Sequence, residues 1–153
     1  MSATRMCQQA VRRALARLGI ERLVLSIHQV SFPPSADDIG HGTPYSERSW
    51  AMMEWLAGLG FTGVALGPMG ITSRTNPSPY DATALSRNPL HIALGPLCEC
   101  GLLDDKVLAA AVAGRPASER VAYEYAWETQ RRLLASVAAR SRNDAATAAR
   151  LRQ

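Results

Sequence analysis

Apolar residues recur at helical spacing near the start of the chain. Met6, Ala10, Val11, Ala14, Leu15 and Leu18 fall on one face, while Arg5, Arg12, Arg13 and Arg17 lie mainly off it. The pattern predicts a helix over residues 4–18, with Gly19 as its C-cap. Residues 23–27, Leu-Val-Leu-Ser-Ile, form a short apolar run suited to a buried strand. Residues 28–45 are rich in Pro, Gly, Ser and Asp and read as a loop. Trp50, Met53 and Leu56 then share a helical face over residues 46–59, and Gly60 ends it. A second apolar run at 63–66 predicts another buried strand, stopped by Gly67-Pro68.

Periodicity is almost lost over 67–88, which carries Pro68, Gly70, Pro77 and Pro79. A loop of this length inside a compact domain is usually functional or disordered. Residues 89–94 read as a short extended segment, followed by a turn with helical character through Leu103. Asp104 can cap a helix running to Ala113, Gly114-Arg115-Pro116 breaks the chain, and Ser118 is placed to cap a last helix through Val137 and on to Leu151. Strand, loop, helix, strand and long loop in this order predict a βαβ unit with a parallel sheet. Both loops leave the C-terminal ends of strands, where α/β folds bind ligands.

Length sharpens this picture. The 153 residues, 47% of them hydrophobic, suffice for one sizeable core. A complete (β/α)8 barrel needs at least ~200 residues, so a barrel pattern here must be partial. No apolar run reaches the ~18 residues of a membrane span, and the early arginines interrupt every candidate signal-peptide core. The expected setting is the cytoplasm, without membrane insertion.

The net charge of +4 is carried by the last segment, where eight Arg from Arg115 onward face Glu119, Glu124, Glu128 and Asp144. A basic tail can bind nucleic acid, but a helix with a solvated Arg face looks the same, and no base-reading motif accompanies it. Cys7, Cys98 and Cys100 are odd in number, and Cys98-Glu-Cys100 lacks the spacing and second ligand pair of a zinc site. Neither a metal nor another cofactor is expected.

The two loops carry a resemblance. Ser26-Ile27-His28-Gln29-Val30-Ser31-Phe32-Pro33 falls in step with L-L-H-P-T-S-L-P, and Asp38-Ile39-Gly40 echoes a Gly-Ile-Gly turn. Val64-Ala65-Leu66-Gly67-Pro68-Met69-Gly70 matches L-P-L-G-P-x-G. Ser78-Pro79-Tyr80 and, further on, Arg87-Asn88-Pro89-Leu90 match S-P-Y and G-N-P-L, while Gly101-Leu102-Leu103 and Tyr123 onward fit the segments that follow. In this order and spacing the motifs resemble the N-terminal part of the 4-alpha-glucanotransferases (amylomaltases, or disproportionating enzymes) of glycoside hydrolase family 77. The chain departs from the family pattern at His41, Asp81 and Arg87, which stand where the family has Asp, Gln and Gly.

The resemblance implies an α/β fold: an incomplete (β/α)8 barrel whose first βαβ unit and long loop are followed by helices. It divides the chain into an N-terminal helix (1–20), a partial barrel with the substrate-loop segment (21–114) and an Arg-rich C-terminal helix (115–153). The implied ligand is an alpha-1,4-glucan or maltodextrin. The implied partner is a polypeptide supplying the remaining strands.

Retaining glucosyl transfer takes two carboxyl groups about 5–5.5 Å apart. In the family the nucleophile, acid/base and stabilising carboxylates lie on later strands, so no catalytic residue maps here and the chain alone is expected to be silent. The candidate substrate-binding residues are Tyr80, His28, Ser78, Asp81 and Asn88. By resemblance Tyr80 would be a stacking platform. Structural roles stand beside each reading: loop packing for Tyr80, a hydrogen-bonded His28, a backbone cap for Asn88. Asp81 sits in the right loop without an evident carboxylate partner, and Asp37 and Asp38 suit turn roles. Three classes remain open: a piece of a glucanotransferase, a glucan-binding or partner-completing domain without activity, and a nucleic-acid module.

Overall fold

The computed structural model describes residues 3–81 and 85–150, except the side chains of Thr147 and Arg150. In chain order come α1 (Ala3–Arg17), β1 (Val24–Ile27), α2 (Glu47–Leu59), β2 (Gly63–Leu66), α3 (Gly95–Glu99), α4 (Asp105–Ala113), α5 (Tyr123–Asn143) and α6 (Ala145–Arg150). Single 3-10 turns lie at Gln29–Ser31, Pro79–Asp81 and Pro89–His91. The fold is mixed α/β, with β1 and β2 as a parallel pair in the register Val24↔Gly63 to Ile27↔Leu66. Helix α2 is the crossover, as the spacing of the apolar runs predicts. Ser46 starts it by accepting a hydrogen bond from the Ser49 N–H at 3.3 Å, and Gly60 closes it at φ 100°.

The strands are not buried as expected. Their residues are half-buried or exposed, because both faces of a two-stranded sheet lack a full covering layer among the described residues. The core is helical instead. Ile39, Leu94, Leu102, Leu103, Leu108, Ala111, Ala126, Leu133 and Val137 form one buried cluster built largely on α4 and α5. An incomplete sheet predicts partly exposed apolar side chains on the last long helix. The structure reverses this: α5 buries Ala126, Thr129, Gln130, Leu133 and Val137, while Met6, Leu18, Trp50 and Trp55 of the N-terminal half stay exposed.

Three boundaries also differ from expectation. Ser118 caps only a local turn, accepting from the Arg120 N–H at 3.1 Å, and α5 begins at Tyr123. The packing of Ala126, Thr129 and Leu133 sets where that helix starts, overriding a good cap residue upstream. The long helix breaks at Asp144, whose backbone is extended and whose carboxylate accepts from the Ala146 N–H to open α6. The expected end at Leu151 lies outside the described residues. Within residues 89–94, Pro89–His91 form a 3-10 turn rather than an extended segment, with the Asn88 side chain accepting from the Leu90 N–H.

Helix α1 has no buried residue. Arg12 attaches it to the end of α2, donating to Gly58 O at 3.0 Å and Ala57 O at 3.1 Å. A guanidinium there meets carbonyls of the last turn, one of which (Ala57 O) also accepts from the Gly60 N–H at 3.0 Å, at the negative end of the helix dipole. Arg12→Ala should therefore cost no more than about 1 kcal/mol overall. Amide exchange over α1 should rise severalfold while α4 and α5 are unchanged; uniform acceleration across the chain would show that α1 is integral to the fold.

Candidate functional site

Parallel pairing of Ile27 with Leu66 brings the C-terminal ends of both strands side by side. His28 follows the first strand and Gly67 the second. The absence of a side chain at Gly67 makes room for the imidazole, since a Cβ there would lie 2.6 Å from His28 Nδ1. Tyr80 comes to the same corner from the long loop. Its hydroxyl is 3.2 Å from His28 Nε2, and the rings meet edge-to-face with centroids 5.7 Å apart. Either atom can donate, according to the imidazole tautomer. Tyr80 remains 69% exposed, so the hydrogen bond fixes the hydroxyl while leaving ring surface open.

Ser78 and Asp81 are organised by Asn76, a residue the sequence reading missed. Asn76 Oδ1 accepts from the Ser78 N–H at 2.9 Å, and Asn76 Nδ2 donates to Asp81 Oδ2 at 2.7 Å. The signal was an Asn before Pro77, a common turn opener. Asp81 is exposed, and the partner that holds its carboxylate is the Asn76 amide, not a second carboxylate. Asn88 departs from the corner altogether. It is buried, donating to Thr72 Oγ1 at 2.9 Å while capping the Leu90 N–H. Its alternative role as a backbone cap is the one seen.

The loop closes on itself at its base. Asn88 N–H donates to Met69 O at 2.9 Å, and Ile71 N–H donates to Ser86 Oγ at 3.0 Å. Thr72 then ties it to α5: the Tyr123 hydroxyl donates to Thr72 Oγ1 at 2.6 Å, and the Trp127 indole N–H to Thr72 O at 3.3 Å. Burial raises the Tyr123 phenol pKa, although the Thr72 bond opposes the shift. Arg74 pairs with Glu128 at 2.9 Å on the surface, a contact worth well under about 1 kcal/mol.

Beneath the loop, His41 and His91 are both buried, with ring centroids 5.9 Å apart. Loss of hydration lowers the pKa of His41 against the opposing effects of the Gly42 carbonyl and Asp38. It takes His91 down to about 4, with His41 nearby adding to the shift. Asp38 serves as a turn residue, its carboxylate accepting from the N–H groups of Gly40 and His41. Burial first, then Asp105, pushes the Cys98 thiol up to about 11, which suppresses thiolate chemistry.

Among the described residues no group of three His, Cys, Asp or Glu is assembled to hold a metal, and no helix is long and apolar enough to cross a membrane. Part of the Arg-rich segment is engaged in packing. Arg131 stacks 4.7 Å from the Trp127 ring centre, and Arg140 donates to Leu102 O at 3.5 Å.

The family model described as 4-alpha-glucanotransferase matches residues 27–153. No curated protein and no solved structure matches the chain.

Proposed function

Because the chain belongs to the 4-alpha-glucanotransferase family, glycoside hydrolase family 77, we propose that it supplies one wall of an alpha-1,4-glucan site. In this reading the β1–α2–β2 unit is the opening edge of an incomplete (β/α)8 barrel, and the loop from Gly67 to Asn88 is its substrate loop. The observation that carries the reading is the corner itself: an exposed Tyr80 ring anchored through its hydroxyl to His28 at the mouth of two parallel strands. A restrained aromatic offers a flat apolar face to the C–H surface of a glucose ring at little entropic cost. His28, Ser78 and the Asp81 carboxylate would take the hydroxyls at the ring's edge. Asn88 acts at one remove, by holding the loop.

Retaining transfer also needs a nucleophilic carboxylate and an acid/base carboxyl about 5–5.5 Å apart. Asp81, held by Asn76, is not seen with such a mate. The segment then binds and orients glucan, and the reacting carboxylates come from further barrel strands, in the same polypeptide or another. The sheet supports this, because each strand has one edge unpaired among the described residues and Val24 is exposed. The three unbridged thiols fit a cytoplasmic setting.

The test is a maltoheptaose titration of the 153-residue chain followed by NMR, with a maltotriose disproportionation assay alongside. Millimolar binding centred on Tyr80, weakened about fivefold in Tyr80→Ala, is expected for a stacking contact worth about 1 kcal/mol. No glucose or longer dextrins should form. Robust transfer abolished by Asp81→Ala would make Asp81 a nucleophile and overturn the non-catalytic reading. Shifts confined to the Arg-rich segment would overturn the Tyr80 site.

A further inference from the structure

We propose that His41 and His91 form an acid-sensitive latch that keeps the Tyr80 loop closed at neutral pH and releases it below about pH 6. The consequence for ligand binding rests on the glucan reading above; the latch itself does not.

The two histidines come from different segments and meet under the loop's closing end. His91 ends the Pro89–His91 turn, which directly follows Asn88, while His41 lies in the loop between β1 and α2. Tyr123 of α5 lies beside His41, its ring 6.2 Å from the imidazole. His41 Nδ1 is 3.1 Å from Gly42 O, so that nitrogen carries the proton of the neutral ring. His91 Nδ1 is buried and has no hydrogen-bond partner. The pocket therefore suits neutral imidazoles, and a proton placed on His91 Nδ1 enters a site with no acceptor prepared for it.

The surrounding charges do not supply one. Asp37 and Asp38 line a small cavity with His41, and Arg115, Glu119 and Arg120 line the groove on its other side. Arg87 lines the groove that His91 shares. Three carboxylates thus face three guanidiniums, and Asp38 already accepts two backbone N–H groups. Two imidazolium charges would repel each other across 5.9 Å with nothing left to balance them.

The sign follows. Both groups titrate below their ordinary value of 6.5 when the loop is closed. Above pH 6.5 neither state is charged and pH has no effect. As pH falls from 6.5 toward 4 the open state takes up protons first, so closure weakens through that window. The loop yields before the core because, apart from the Asn88 N–H to Met69 O bond, it and the turn that follows are anchored by side-chain hydrogen bonds: Thr43 Oγ1 to His91 O at 2.6 Å, Gln130 Nε2 to Pro89 O and Ile92 O, and the Thr72 node. The α4–α5 cluster is held by apolar packing, which protonation does not touch.

Hydrogen exchange between pH 7.5 and 4.5, corrected for the intrinsic pH dependence, tests the proposal on the ligand-free chain. Protection over residues 67–81 and 85–92 should fall about tenfold while α4 and α5 stay protected. In the His41→Gln/His91→Gln double variant the loop's response should shrink to less than about twofold. Loss of protection in loop and core together, or an unchanged response in the double variant, overturns the latch. If that variant does not fold, ring titration of the wild-type protein decides: values at or above 6.5 for both histidines overturn it, and depressed values support it. A loop that opens in acid supports the latch even if maltoheptaose never binds at pH 7, a result that would refute the glucan reading alone.

Discussion

Truncating Leu133 to alanine should destabilise the chain by about 3 kcal/mol, within the range seen for buried leucines that lose their packing. Leu133 sits at the centre of α5, almost wholly buried, in the cluster with Leu102, Leu103, Leu108 and Val137. Rigid helices surround the space its side chain fills, so the cavity will not close by small adjustments. The expected readout is a lower urea midpoint with an unchanged slope. At a temperature where the variant is still folded, maltoheptaose binding should match the parent's, because the His28–Tyr80 corner is built on the strands and the loop. A loss below about 1 kcal/mol would mean that the helical cluster is not what holds the fold together.

That expectation depends on a core the sequence did not locate. The apolar runs at 23–27 and 63–66 showed two strands, and the helical period between them showed the crossover. Parallel pairing follows from those two facts, since a helix of thirteen residues returns the chain to the same end of the sheet. Burial does not follow. A short apolar run reads identically whether one or both faces are covered, and covering is a property of the other layers. The amphipathic pattern of residues 4–18 gave the helix but not its depth of burial: Met6, Ala10 and Ala14 meet solvent, while Val11 and Leu15 of the same face are half-buried, with Leu15 and Gln8 against Gly60 and Gly58 beside the Arg12 bonds.

The corner was legible where the place of one side chain follows from the local sequence alone. His28 and Tyr80 were placed by a strand end and a Pro-flanked motif, and they meet in the structure. Roles that depend on a partner far along the chain were invisible. Asn76 looked like one more polar loop residue, and Thr72 gave no sign that Tyr123, fifty-one residues away, would bond to it. His41 was noted only as a departure from a motif, and His91 was not noted. Their meaning lies in being buried against each other, which no local spacing encodes.

Asn88 separates the two kinds of role, and replacing it tests the distinction. In Asn88→Ala the Leu90 N–H loses its cap and Thr72 Oγ1 loses a donor, both within a buried region. Thr72 Oγ1 keeps the Tyr123 hydroxyl, whereas the Leu90 N–H is left unpaired at a cost of about 1–3 kcal/mol, so a stability loss in that range is expected. Asn88→Asp should fall between variant and parent, since a carboxylate can still accept from Leu90 N–H but cannot donate to Thr72. Glucan binding should weaken only through loop opening, with affinity following exchange protection over residues 67–81 and 85–92 across the three proteins. The opposite pattern, full stability in Asn88→Ala with binding lost, would return Asn88 to the sugar and show that Thr72 and Tyr123 hold the loop without it.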